Sequence, residues 1–408
     1  MLPKKIFVYS YACELRLLDG MKIYRYLSKN KHKLVKSPRD ADIILFVTCA
    51  VHNQTAENVI NKIKEFQKYD AELIVAGCLP EIEKEKLAEI FDGRTISTKN
   101  IDQIDNLFPE NKIKFDNIND ENVINYSKVM VEYGIYSKFM NYLLKRFFYK
   151  YDDDSFLYNF SKKDPLYYIK ASWGCNGNCS YCAIKKAIGP LKSKPIDECV
   201  KELKKGLNKG YTNFILAADD IGAYGLGIGS NLPNLLIELT EIPEDYKISI
   251  REIGPGWVVK YINELEDIVK KHKIANMGIT LQSYSSRILK RMNRYSDVDR
   301  IKDAFLRLKK SDSNLNFNTH IIIGFPTETE EEFKQTLYLI KEIDFDSGLV
   351  FPFSCKDGTE AEEIEPKISL EEIDKRLIYA KKFLKNSGYK VYNSNQNYFM
   401  FRKNIREF

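Results

Sequence analysis

The sequence predicts an α/β protein, an N-terminal parallel sheet with flanking helices followed by six further strand–helix repeats. Three observations point there. Short apolar runs are each closed by turn residues and followed by a helical pattern, which is the alternation a parallel sheet needs for its crossovers. The 408 residues are 44% apolar and 29% charged, an ordinary globular composition, long enough for two or three domains. The longest strictly apolar run, Ile43 to Val47, is far too short to span a membrane.

In chain order, Ile6-Phe7-Val8-Tyr9 reads as a buried strand, Glu14 to Ser28 as a helix, and Ile43-Ile44-Leu45-Phe46-Val47 as a second strand. Asn53 to Gln67 reads as a second helix and Leu73-Ile74-Val75-Ala76 as a third strand, so 1–100 forms one domain. A connector, 101–163, carries seven tyrosines (126, 133, 136, 142, 149, 151 and 158), a content that favours packing over solvation and suits helices covering a cleft. Strand-like runs then fall at Tyr167–Ile169, Phe214–Ala217, Ile248–Ile250, Ile279–Leu281, Thr319–Ile323 and Gly348–Phe351. They alternate with charged helical stretches such as Ile196–Leu207 and Asp297–Lys309, giving a second domain over 164–384 and a short basic tail over 385–408. The start, Met1-Leu2-Pro3-Lys4-Lys5, has no apolar signal core, so a cytoplasmic protein with no membrane association is expected. A net charge of +6 permits a polyanionic partner without requiring one.

Of the eight cysteines, Cys175, Cys179 and Cys182 lie in one loop with C-x3-C-x2-C spacing. Structural zinc calls for four closed ligands, and His32, His52, His272 and His320 show no pairing that would complete such a site. Three thiolates can instead hold a four-iron cluster with one iron left open. Cys13, Cys49 and Cys78 each follow a predicted strand. The carboxyl ends of a parallel sheet open on one edge, so these three can meet at a second metal site. Cys199 lies in a helical pattern and reads as packing, while Cys355 follows the last strand of the second domain.

The cysteine segments resemble the radical S-adenosylmethionine methylthiotransferases. The likeness covers most of the chain: Tyr11-Ala12-Cys13-Glu14, Val47-Thr48-Cys49-Ala50-Val51 and Ala76-Gly77-Cys78-Leu79, then Gly174 through Cys182 to Gly189-Pro190. It continues through Leu281-Gln282-Ser283, Leu289 to Arg294, Ile322-Ile323-Gly324-Phe325-Pro326-Thr327-Glu328-Thr329, and Phe351-Pro352-Phe353-Ser354 with Gly358-Thr359-Glu360-Ala361. The resemblance implies a partial (βα)6 TIM-like barrel after the N-terminal domain, two [4Fe-4S] clusters and S-adenosyl-L-methionine. Cys175, Cys179 and Cys182 would hold the catalytic cluster and Cys13, Cys49 and Cys78 the auxiliary one. Tyr181, Asp219, Asp220, Gln282, Ser283 and Ile323 lie on segments the family uses around S-adenosylmethionine. Asp219 and Asp220 read equally well as helix caps, and Tyr181 and Ile323 as core. A one-electron reductant would start the reaction, and a 5′-deoxyadenosyl radical would let a C–H bond become C–SCH3.

The chain departs from the family pattern in places. The proline and arginine usual before Gly-Pro are replaced in Lys185-Lys186-Ala187-Ile188-Gly189-Pro190, and Tyr284 stands where a glycine is usual. Few residues remain after the last predicted helix, so the small C-terminal β-barrel called the TRAM domain is expected to be missing or reduced to the tail. From Asp374 onward nine basic residues face two acidic ones, with Tyr392, Tyr398, Phe399 and Phe401 among them, a pattern that suits a grip on RNA or an acidic peptide, or else a charged solvated helix followed by a pairing strand. On these departures a peptide or protein substrate is favoured over a tRNA adenosine beside the anticodon, and a monomer is expected. The alternatives from other classes are a non-catalytic iron–sulfur protein that binds RNA or relays electrons, and a cobalamin-dependent radical enzyme, which has no need of Cys13, Cys49 and Cys78.

Overall fold

The computed structural model describes residues 3–129, 166–393 and 398–403. They fall into two compact units, one of 3–129 with Ala183–Pro190, the other of 166–182 with the described residues from Leu191 onward.

The first unit is a parallel sheet of β1 (Lys5–Tyr11), β2 (Lys33–Leu34), β3 (Ile43–Thr48), β4 (Glu72–Gly77) and β5 (Thr95–Ser97) in the order β2-β1-β3-β4-β5. Every residue of the central β3 is buried, because helices cover both faces of such a sheet and leave its strands no solvated side. Helix Asn53–Phe66 buries Ala56, Val59, Ile63 and Phe66, the three- and four-residue spacing of one helical face. Phe66 ends that stripe with its ring edge-on to Phe46 at 5.3 Å and to Tyr9 at 5.5 Å. Truncating this ring to alanine would cost about 3–5 kcal/mol. The same core takes in Cys78, Leu79, Ala183 and Ala187, so the helix Ile184–Ile188 packs into the first unit although its sequence lies between segments of the second. Of the connector 101–163, the stretch to Val129 also belongs here. Phe115 packs edge-on against Tyr26 at 5.5 Å, the Tyr26 hydroxyl donates to Asp105 at 2.9 Å, and Lys22 and Arg25 pair with Asp120 and Glu121. Tyr126 is exposed, and the six tyrosines from Tyr133 to Tyr158 lie outside the described residues.

In the second unit the six predicted strands form: β6 (Leu166–Lys170), β9 (Asn213–Ala217), β10 (Lys247–Ile253), β11 (Ile274–Gln282), β12 (Asn316–Ile323) and β13 (Ser347–Pro352). They pair in parallel in that order, the open six-stranded arrangement expected, while a two-stranded ribbon of β7 (Ser172–Trp173) and β8 (Lys192–Ser193) stands apart. The intervening helices begin where side chains can take up orphan amides. Asp297 accepts from Arg300 N–H, Ser369 accepts from Glu372 N–H, and Thr329 with Glu332 forms a reciprocal capping box.

The segment expected to be a basic tail is part of this sheet. Helix Leu370–Asn386 ends at Gly388, in the left-handed region at φ +91°, and β14 (Tyr389–Asn393) and β15 (Phe399–Lys403) follow, with β15 antiparallel to β13. Alternation explains it: Phe399 and Phe401 are fully buried, and a side chain at Gly348 would collide with the Phe401 ring. Much of the basic run is likewise used internally. Arg376 is buried against Glu328 at 3.1 Å and Lys403 pairs with Asp344 and Asp346, while among the described residues of this run Lys375, Lys382, Lys385 and Lys390 are exposed, Lys375 beside Glu371. Among the described residues no helix is long and apolar enough to cross a membrane.

Candidate active site: two sets of cysteines

The first set is built by the sheet edge. Cys13 follows β1 at the N-terminal boundary of helix Glu14–Lys29, Cys49 follows β3, and Cys78 follows β4. The ladder runs on into these loops, with Cys49 N–H donating to Tyr11 O at 3.1 Å and Cys78 N–H to Thr48 O at 3.0 Å. The Thr48 hydroxyl adds a bond to Ala76 O at 2.6 Å. Gly77, at φ +102°, lies so close to β3 that a Cβ there would be 2.4 Å from Thr48 O, so only glycine fits. Cys49 and Cys78 are buried and Cys13 is exposed. Burial first, then the neighbouring Cys13 and Cys78 thiols, push the Cys49 thiol well above its ordinary range.

The second set sits on a loop with little regular structure, and side chains hold it. Gly174 N–H donates to Asp219 Oδ2 at 3.0 Å and Gly177 N–H to Cys175 Sγ at 3.1 Å. Ser180 is bonded through both N–H and Oγ to the carbonyls of Met292 and Arg291. Glu360 joins the loop to the turn after helix Ser286–Arg291, accepting from Asn178 at 3.3 Å and from Asn293 at 2.7 Å. Burial, with the Asp220 charge behind it, pushes the Cys175 thiol up to about 12, and Cys179 and Cys182 add to the shift. Asp220 is itself raised by burial, and its carboxylate lies 3.8 Å from Cys175 Sγ.

Arg294 is the group whose role residue spacing did not reveal. Its Nη1 donates to Cys179 Sγ at 3.4 Å and lies 3.3 Å from the Tyr181 hydroxyl, while Nη2 reaches Thr280 Oγ1 at 3.2 Å. Burial works against its charge, but Tyr181 and Cys179 outweigh it and hold the guanidinium more firmly protonated than usual. Its Nε is buried without a partner among the described residues. In sequence Arg294 closes a segment that carries the family resemblance, with no role assigned to it, and the fold turns it inward after the short helix Ser286–Arg291.

The other predicted site residues divide. Tyr181, Asp219 and Asp220 stand around the second set of thiols. Gln282 ends β11 at φ +71° with its Oε1 buried and unpartnered among the described residues, as a ligand-facing group would be. Ser283 is fully buried and its hydroxyl accepts from Ser285 N–H at 3.2 Å, so it shapes the turn. Ile323 is buried, and its carbonyl accepts from Phe353 N–H, which makes it packing and backbone support. Cys199 is fully buried, with its thiol pushed up to about 12 by burial, as an inert packing cysteine would be.

Each set supplies three thiols, the donor number that a four-iron cluster with one open iron takes. Among the described residues no three His, Cys, Asp or Glu side chains close on a point as one metal ion requires. A four-iron cluster is an extended ligand that spreads its thiolates over separate irons. A buried guanidinium donating to one of three thiols suits the negative charge those thiolates would carry.

Comparison with known proteins agrees with this geometry. Residues 169–340 match the radical SAM superfamily, and residues 5–97 match the Uncharacterized protein family UPF0004. A probable threonylcarbamoyladenosine tRNA methylthiotransferase of Methanocaldococcus jannaschii is 31% identical over 380 residues, spanning 90% of this chain and 81% of that one. The ribosomal protein uS12 methylthiotransferase RimO of Geotalea uraniireducens is 30% identical over 384 residues, spanning 90% and 79%. Among solved structures, the radical S-adenosylmethionine methyltransferase TsrM of Kitasatospora setae matches with a TM-score of 0.61 over 88% of this chain and 77% of its own, at 11% identity, a likeness of fold alone. With relatives of this identity aligned over most of both chains, the protein belongs to the radical S-adenosylmethionine methylthiotransferases.

Proposed function

We propose that this methylthiotransferase acts on tRNA, replacing a base C–H of a modified adenosine by C–SCH3. The observation that carries the proposal is the 31% identity over nine-tenths of the chain to a relative named for threonylcarbamoyladenosine in tRNA. Relatives of the same name from Pyrococcus horikoshii and from human, at 28% and 29% identity, add to it. The peptide or protein substrate favoured from sequence rested on the expected loss of a C-terminal domain, and the likeness to named tRNA enzymes outweighs that ground. It keeps one specific support, the 30% identity to RimO. Exposed Lys382, Lys385 and Lys390 suit phosphate contacts.

In this proposal Cys175, Cys179 and Cys182 hold the catalytic [4Fe-4S] cluster, and Cys13, Cys49 and Cys78 hold a second one that takes part in sulfur delivery. When bound, the reduced cluster and S-adenosylmethionine supply the hydrogen-abstracting radical and the methyl group. The chain's own part is orientation and tuning. Asp219 fixes the loop through the Gly174 amide, Arg294 offsets thiolate charge at Cys179, and the buried Gln282 Oε1 offers an acceptor near the carboxyl edge of the barrel.

The test is mass spectrometry of tRNA nucleosides from a host lacking the modification, with and without this protein expressed anaerobically. A new methylthio-adenosine is expected. Its absence, in cells where the protein carries iron and cleaves S-adenosylmethionine, would move the substrate to protein.

A further inference from the structure

Inside the barrel, β10 and β12 bring together three side chains that the chemistry above leaves unused. Phe317 packs on Phe305 of the outer helix Val298–Ser311 and on Phe345, so its side of β12 faces the helices and His320, three residues on, faces the interior. On β10, Ile248 and Ile250 are buried in the outer layer and Arg251 points the other way. Its neighbour Glu252 would ordinarily face outward. At Glu252 the register with β11 breaks between Ile250 and Ile253, and the residue adopts φ +65°. That left-handed conformation costs a glutamate about 1–3 kcal/mol and turns its carboxylate to the same side as Arg251. Glu252 Oε1 then lies 3.5 Å from Arg251 Nη2, and the two side chains keep 31% and 29% of their surface open.

The space between the strands has been kept clear. Gly278 on β11 sits where a Cβ would stand 3.4 Å from Glu252 N and 3.8 Å from Arg251 Cα, so no side chain divides this pair from His320. Glu252 and His320 act on one another electrostatically, and the His320 ring stands edge-on to Phe351 at 5.8 Å. Two residues beyond Gly278, Thr280 holds Arg294, the donor to Cys179, and Gln282 presents its unpartnered Oε1. The group thus flanks β11 on the barrel's inner face, beside the residues of that strand just before its carboxyl edge, where Thr280 and Gln282 lie.

We propose that Arg251, Glu252 and His320 recognise a carboxylate-bearing arm on the substrate base. A guanidinium fork matches a carboxylate in two-point geometry, and an adjacent glutamate accepts from the N–H or O–H groups that an amino-acid arm carries beside its carboxylate. A phosphate suits the site less well, since Glu252 would repel its second charge. The inference rests on the tRNA reading, in which an adenosine bearing a threonylcarbamoyl group offers one carboxylate, one hydroxyl and ureido N–H donors.

The experiment uses the reconstituted full-length enzyme and anticodon stem-loop RNAs whose adenosine carries the amino-acid arm as the free carboxylate or as its methyl ester. Methylthio product is followed by mass spectrometry. The wild type is expected to favour the carboxylate RNA by about 10–100-fold in kcat/KM, chiefly through KM. Arg251→Gln should bring the ratio between the two RNAs close to one, and Arg251→Lys should restore part of it. A ratio within one variant is insensitive to how much of the preparation is folded. Equal use of both RNAs by the wild type would overturn the inference and leave the tRNA reading standing. Failure to modify either RNA, with S-adenosylmethionine still cleaved, would overturn the tRNA reading and this inference with it.

Discussion

The two cysteine sets are held in place by opposite means. Cys13, Cys49 and Cys78 come from distant parts of the sequence; the backbone ladder of three adjacent strands runs on into Cys49 and Cys78, and Cys13 stands where β1 passes into its helix. Cys175, Cys179 and Cys182 are neighbours in sequence, and side chains from several other segments, Asp219 and Glu360 among them, hold their loop. A sheet edge is rigid before any ligand binds, whereas a loop held by hydrogen bonds can be tuned one bond at a time. A sheet edge suits a cluster that must keep its place, and a tunable loop suits one whose potential must be set for electron transfer.

The largest effect expected from a single bond lies on the loop. Replacing Arg294 with methionine removes the donor to Cys179, and hydrogen bonds to charged groups are worth about 1.5–3 kcal/mol, so cofactor cleavage should fall by about 10–100-fold. The cluster potential should move to a more negative value, because an undonated thiolate favours the oxidised state. A cleavage rate and a potential both unchanged, read by product assay and redox titration, would show the loop to be insensitive to its surroundings.

The sheet edge should break through its backbone. Gly77→Ala forces a Cβ against Thr48 O at a left-handed φ, which should cost about 1–3 kcal/mol and disturb Cys49 and Cys78 together. Iron content should fall towards half while cofactor cleavage persists. Full iron with normal thermal stability would mean that β3 and β4 do not fix these cysteines.

Legibility followed the same division. The loop was plain from spacing within eight residues, and the sheet-edge set from strand periodicity, since each cysteine follows an apolar run. Arg294 and Glu360 lie in segments that carry the family resemblance, but their contacts with Cys179 and Asn178 were not legible, nor was the inward turn of Glu252, because each depends on where a neighbouring strand or turn lies. The residues after Leu384 left two readings open, a binding tail and a pairing strand after a solvated helix, and the pairing strand is what forms. A run rich in lysine and arginine reads as solvated, but Phe399 and Phe401 pack inside, and Arg376, earlier in the run, finds a buried partner in Glu328.

That buried pair supplies the smallest expected effect. Burial raises the Glu328 carboxyl from its ordinary 4.5 to about 7, against the opposing bonds from Gly324 N–H and Arg376. A carboxyl whose folded value is raised contributes stability that is complete below 4.5 and is lost as the pH rises through about 7. Between pH 5 and 8 the wild-type melting temperature should therefore decline more than that of Glu328→Gln, by a few degrees under anaerobic scanning calorimetry. Parallel profiles would show Glu328 to be ionised throughout.

The division of labour between the two sets is tested most directly by one variant, Cys13, Cys49 and Cys78 all changed to alanine, assayed for iron, cofactor cleavage and methylthio product together. The account predicts that about half of the iron is lost, that S-adenosylmethionine is still cleaved, and that methylthio product disappears. Cleavage abolished with the iron content unchanged would contradict it.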